Sequence, residues 1–128
     1  MNTEARPEVL PGVTRCIRLN IGAEKDEKFY ITVNFNGGRA FEVFIRCDDP
    51  KLHEWVNAQT ILITRMLRAG ISLATIGKEL QEIHSAGTSD HHAEGVRHIG
   101  RVARIGQMLE TMAGLGDMIT GQGTLTNE

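Results

Sequence analysis

The stretch FYITVNFNGGRAFEVFI, residues 29–45, constrains the fold of this chain more than any other. Phe29, Ile31, Val33 and Phe35 fall on one side of an extended backbone, and Tyr30, Thr32 and Asn34 on the other, which is the alternation of a half-buried strand. Asn36-Gly37-Gly38 follows, and residues of this kind accept the positive φ of a tight hairpin at little cost. Phe41, Val43 and Ile45 resume the alternation on a returning strand from Ala40 to Arg46. Upstream, Ile17, Leu19 and Ile21 alternate with Cys16, Arg18 and Asn20 and predict a first strand from about Val13 to Ile21. The charged run GAEKDEK, residues 22–28, reads as the turn between them. The three segments form an antiparallel meander with one apolar face.

That face needs a cover, and the period then changes from two to about 3.6. Asp48-Asp49-Pro50 offers a capping carboxylate and a proline already set for a first helical turn. Leu52, Trp55, Val56, Leu62, Ile63, Met66 and Leu67 make the inward stripe of a first helix, which Gly70 ends. Ser72 caps a shorter second helix with Leu73, Ile76, Leu80 and Ile83 inward. Residues 84–95 read as loop, and a third helix runs from about Gly95 to Ala113 with Ile99, Val102, Ile105, Leu109 and Met112 inward. The expected class is α+β: an antiparallel β-meander packed on one face by two or three helices, with a long C-terminal helix. Residues 1–8 read as a flexible arm, 9–113 as a single domain, and 114–128 as a Gly- and Thr-rich tail. Gly77, Gly100 and Gly106 stand inside predicted helices, where each costs up to about 1 kcal/mol against alanine. They are tolerable where a backbone or a ligand comes close, and a cleft between subunits is the simplest such place.

Composition narrows the function. With 128 residues, 41% hydrophobic and 23% charged, the chain suits one soluble domain. A net charge of −2 argues against a duplex nucleic-acid binder, while leaving room for a local basic pocket. Cys16 and Cys47 lack CxxC spacing and point to a reducing compartment without structural zinc. The opening MNTEARPEVLPG lacks the apolar centre of a signal peptide. No apolar run reaches the roughly 20 residues of a membrane helix. The expectation is a cytoplasmic protein with no membrane partner.

Chemistry concentrates in GTSDHHAEGVRHIGRVARIG, residues 87–106. Arg97, Arg101 and Arg104 share one face of a helix by spacing, and such a row of guanidinium forks fits phosphate oxygens. The alternative is a solvated face on which Glu94 pairs with Arg97 or His98, worth only about 0.3–0.5 kcal/mol. His91 and His92 are loop histidines in reach of a phosphate; adjacent histidines with no further ligands do not complete a metal site, so none is expected. Ser85, Thr88 and Ser89 lie near histidines but without a nucleophile elbow or an orienting acid. Asn36-Gly37-Gly38 is not followed by a helix N-terminus, so it reads as a turn and not a phosphate cradle. Cys47, just before a helix start, is either an activated thiolate or a plain thiol at a strand end. The reading is of a ligand-binding protein, not an enzyme, without a cofactor.

LPGVT, then FYITVNFNGGRAFEVFI, then a helix, then LRAGISLATIGKELQEI, resembles the TSCPD domain over about residues 10–110. That domain occurs at the C-terminus of cobalamin-dependent ribonucleotide reductases and as small stand-alone proteins, many from phages. The Thr-Ser-Cys-Pro-Asp motif of the family falls where this chain has GVRHIGRVARIGQML, with no Cys, Pro or Asp. The stand-alone form is similar to phage Thoeris anti-defence sponges. That resemblance implies capture, without cleavage, of a cyclic ADP-ribose-type or cyclic nucleotide signal at subunit interfaces of a homo-oligomer, dimer-based and up to a hexamer. It also implies that His84 is the flat group against a base and that Arg101 or Arg104 meets phosphate. The other expectation it raises is an accessory or regulatory nucleotide-binding domain acting on ribonucleotide reductase.

Overall fold

The computed structural model describes residues 6–20, 26–83, 100–116 and 118. Three strands, β1 (Gly12–Asn20), β2 (Asp26–Asn36) and β3 (Arg39–Cys47), form one antiparallel sheet in sequence order. A 3-10 turn at Pro50–Leu52 leads into α1 (His53–Arg68), followed by α2 (Leu73–Leu80) and α3 (Arg101–Ala113). This is the expected α+β meander with helices on one face. Along β2 every odd-numbered residue from Glu27 to Phe35 is buried, and the even-numbered ones are less so. Phe29, Ile31 and Val33 are fully enclosed, with Val43, Ile45, Ile63, Leu67, Ile105, Leu109 and Met112 packed around them. Each such side chain contributes about 1.5–3 kcal/mol by leaving water.

Local chemistry explains the element ends. Gly37 and Gly38 both have positive φ, 64° and 85°, and form the two-residue hairpin that the sequence predicts. The Asp49 carboxylate accepts the Lys51 N–H at 2.9 Å and starts the turn that Pro50 opens. Gly70 has φ 101° and terminates α1. The Ser72 hydroxyl accepts the Thr75 N–H at 3.1 Å, as an N-cap should.

β3 is an edge strand, yet its outer edge is closed. Val43 N–H donates to the Thr64 hydroxyl and Ile45 N–H to the Thr60 hydroxyl, each at 3.0 Å, and Thr64 donates back to the Val43 carbonyl at 3.1 Å. Helix α1 thus runs along the strand and satisfies backbone groups that would otherwise invite another chain. Phe41 is an extra residue on β3, because Asn34 pairs with Glu42 but Phe35 pairs with Ala40.

Several details correct the sequence reading. β2 begins at Asp26, so the last three residues of the charged run are strand: Asp26 pairs with Asn20, and Glu27 continues the buried parity of Phe29 and Ile31. Leu62 and Ile83 are 58% and 50% exposed instead of inward. The buried line of α1 passes through Val56, Ile63 and Leu67, and α2 ends at Leu80, so neither side chain turns toward the core. Gly100 is not inside a helix; it is the N-cap of α3, with φ −66° and ψ 170°. Residues 95–99, including Ile99, lie outside the described part of the chain, as does Ile21.

Gly77 and Gly106 face each other across the α2–α3 contact. A Cβ on Gly77 would stand 2.7 Å from the Gly106 carbonyl oxygen, and one on Gly106 would stand 2.7 Å from that of Gly77. The close backbone that these glycines require is therefore in the same chain, and neither needs another subunit to explain it. Gln81 Nε2 reinforces the contact, donating to the Gly77 carbonyl at 3.1 Å and to Glu110 Oε1 at 2.7 Å.

Candidate functional site

The N-terminal end of α3 carries an unusual electrostatic load. Gly100 caps it through the backbone alone, accepting the Arg104 N–H at 3.0 Å, and among the described residues no side chain caps the turn. The first turn holds no acid, and Arg101 occupies its first position. Free N–H groups already make this end of a helix positive, so nearby arginines add to a potential that anions relieve.

One anion comes from the fold itself. Arg101 Nε donates to Glu27 Oε1 at 2.7 Å and Arg101 Nη2 to Glu27 Oε2 at 2.8 Å, a fork across the start of β2. Glu27 is only 7% exposed, whereas the Arg101 side chain is 43% exposed. The bond to Glu27 holds the Arg101 guanidinium above its ordinary pKa, with smaller help from Asp49 and Cys47 nearby. Arg101 therefore ties the entrance of α3 to the sheet. Arg104, one turn on, is half-buried and makes a weak 3.4 Å contact with Gln107 Oε1. Among the described residues no carboxylate pairs with Arg104. His84, His91, His92 and Arg97, the other expected ligand residues, lie outside the described part of the chain, as do Glu94 and His98.

Glu27 is the residue that the sequence reading missed. Its signal was present: position 27 shares the parity of Phe29, Ile31, Val33 and Phe35, so an acid there points beneath the helices and calls for a cation.

At the same end of the sheet, a cleft of about 340 Å³ is lined by Ile45, Arg46, Cys47, His53, Val56 and Asn57. The His53 ring lies with Nε2 3.3 Å from the Cys47 carbonyl oxygen. Burial pushes the Cys47 thiol pKa up, and Asp49, Glu27 and Asp48 push it further against a hydrogen bond to the Asp49 carbonyl. The thiol form is favoured, which supports the plain-thiol alternative over an activated nucleophile. A second cleft of about 480 Å³ lies at the hairpin end, between Arg39 and the Gly70–Ala74 segment. Among the described residues no group of three or more His, Cys, Asp or Glu is placed to hold a metal ion.

A second buried acid sits on the opposite face of the sheet. Glu42, 3% exposed, accepts from Arg6 Nε at 3.0 Å, Arg6 Nη2 at 2.8 Å and Asn34 Nδ2 at 2.7 Å. Arg68 stacks 4.0 Å from the Phe41 ring centroid and reaches to 3.9 Å from Glu42. Arg6, part of the expected arm, is thus tied to the domain. The Arg6 hydrogen bonds lower the Glu42 pKa, burial opposes this, and Asn34 and the charges of Arg6 and Arg68 add to the lowering. A folded-state pKa below the unfolded one stabilises the protein above the unfolded value, and that gain is lost as pH falls through the folded one. Stability should therefore drop on acidification below about pH 4.3, the ordinary glutamate value. Urea unfolding across that range should show a shallower pH slope for Glu42→Gln than for wild type; equal slopes would assign the acid sensitivity to other groups.

The sheet order, the strand–Gly-Gly–strand hairpin and the helices that follow agree with the comparison by sequence. The TSCPD domain model matches residues 4–113, and the chain belongs to that family. No curated protein and no solved structure matches it. Among the described residues no helix is long and apolar enough to cross a membrane.

Proposed function

We propose that this protein is a non-catalytic binder of a phosphate-bearing nucleotide, and that it sequesters a cyclic ADP-ribose-type or cyclic nucleotide signal in the cytoplasm of a phage-infected bacterium. The observation that carries this reading is the entrance of α3: a helix N-terminus whose cap, Gly100, has no side chain, no acid in its first turn, and Arg104 without a carboxylate partner among the described residues. Arg101, already paired with Glu27, positions that end of the helix and offers its exposed edge to a ligand. His84, His91, His92 and Arg97 lie outside the described residues and enter this reading only as ligand groups expected from the sequence and the resemblance. Stacking on His84 and charge-assisted bonds from Arg97 and Arg104 are the interactions such a signal needs. Nanomolar capture requires about −12 kcal/mol, within reach of several such bonds together with stacking in a dry site.

Calorimetry with candidate cyclic nucleotides tests the site. Arg104→Ala should weaken binding at least tenfold with an unchanged melting temperature, and equal affinity would remove Arg104 from the site. Chromatography of the ligand released by heat should return it intact; cleaved product would make the protein an enzyme.

Family membership supports a second reading, an accessory or regulatory domain acting on ribonucleotide reductase through protein contact or a bound deoxynucleotide. Recovery of the reductase with this protein in a pull-down, together with no binding of cyclic nucleotides, would favour it.

A further inference from the structure

Helix α1 carries on its solvent side a stripe that none of the described residues covers. Glu54, Ala58, Ile61 and Arg65 recur at steps of four, three and four residues, so they share one face. All four are exposed; Ile61 is 56% exposed, and its neighbour Leu62, at the margin of the same face, is 58% exposed. Two adjacent large aliphatic side chains left in water on a regular helix, in which Val56, Ile63 and Leu67 reach the core, mark a contact surface.

The order of residues along the stripe says what fits it. An acid stands at one end and a base at the other, with a small and a large apolar residue between them. When two such helices cross antiparallel about a two-fold axis, residues pair around a common midpoint. The midpoint of Glu54 and Arg65 is also the midpoint of Ala58 and Ile61, between Gln59 and Thr60. One arrangement therefore sets each Glu54 against an Arg65 and each Ile61 over an Ala58, with every pair made twice. A parallel pairing would instead set Glu54 against Glu54 and Arg65 against Arg65. The geometry points to a homodimer in which α1 of one copy packs antiparallel on α1 of a second copy, centred between Gln59 and Thr60.

This surface is independent of the ligand reading at α3. It runs from Glu54 to Arg65, about 18 Å of helix, so the contact lies at the small end of specific interfaces and a micromolar dissociation constant is expected.

Sedimentation equilibrium of the full chain over micromolar concentrations provides the test. Wild type should be a reversible dimer. Glu54→Arg and Arg65→Glu should each weaken it at least tenfold, because each creates two like-charge pairs, and the two together should restore the wild-type constant to within about threefold, since opposite charges meet again. Ile61→Asp should give monomers. All three positions are exposed, so unchanged Trp55 fluorescence and melting temperature should show that the variants fold. A monomeric wild type, as when another segment of the same chain covers the stripe, would overturn the proposal. So would a dimer indifferent to the single reversals, or a double variant no stronger than either single one.

Discussion

Gly77→Val should lower the stability of this protein by about 3 kcal/mol, the upper part of the range for overpacked contacts, or about 12 °C in melting temperature at ~4 °C per kcal/mol. The first side-chain carbon would meet the Gly106 carbonyl oxygen at 2.7 Å, the Glu110 nitrogen at 2.8 Å and the Glu110 Cα at 3.1 Å. All three are backbone atoms, so no rotamer change relieves them, and the two helices must separate. Separation would pull Ile76 and Leu109 away from the core that they share. Intrinsic propensity works the other way, since glycine is about 1 kcal/mol worse than alanine within a helix. Gly77→Ala therefore sets a gain of that size against the same clash and should still be destabilising, though less so than valine. Thermal unfolding of both variants decides between the two effects. A stabilised Gly77→Ala would show that α2 and α3 have room to part.

Those glycines also show how far the sequence could be read. Their cost inside predicted helices made a close backbone necessary, but nothing local says whose backbone it is. The two residues are 29 positions apart, and only the packing of α2 on α3 brings Gly77 to Gly106. The sheet was far more legible. Alternation from Phe29 to Phe35, the Gly37-Gly38 turn and the return through Val43 and Ile45 are all nearest-neighbour signals, and the observed ladder follows them. Its one irregularity, the extra residue Phe41, has no counterpart in the alternation. Helix faces were less certain because α1 lies along the β3 edge as well as on the sheet. Thr60 and Thr64 take inward positions to reach backbone groups, and Leu62 is turned out to solvent. At the candidate site a helix carrying Arg101 and Arg104 was readable, but α3 starts only at Arg101, so the expected row of three arginines on it does not extend back to Arg97, and the partner of Arg101 was not legible, since Glu27 is 74 positions away.

That partner makes Arg101→Met the sharper probe of the site. Glu27 is 7% exposed and, among the described residues, receives its charge-assisted hydrogen bonds from Arg101 alone, two of them. Removing the guanidinium leaves a nearly buried carboxylate with neither bond, which costs about 2 kcal/mol. The Arg101 side is 43% exposed, so solvent screens part of the loss and the value belongs below that of a fully buried pair. Glu27→Leu should be milder, because the arginine it releases can turn to water while leucine extends the apolar row of Phe29 and Ile31. The double variant should be more stable than Arg101→Met alone, giving a coupling of about 1 kcal/mol or more between the two sites. Equal and additive losses would mean that the pair is a surface contact of no consequence. If the coupling is found, ligand affinity measured in the Arg101→Met, Glu27→Leu background separates the two roles of Arg101: affinity retained there means that Arg101 only anchors α3, and affinity lost means that the guanidinium also meets the ligand.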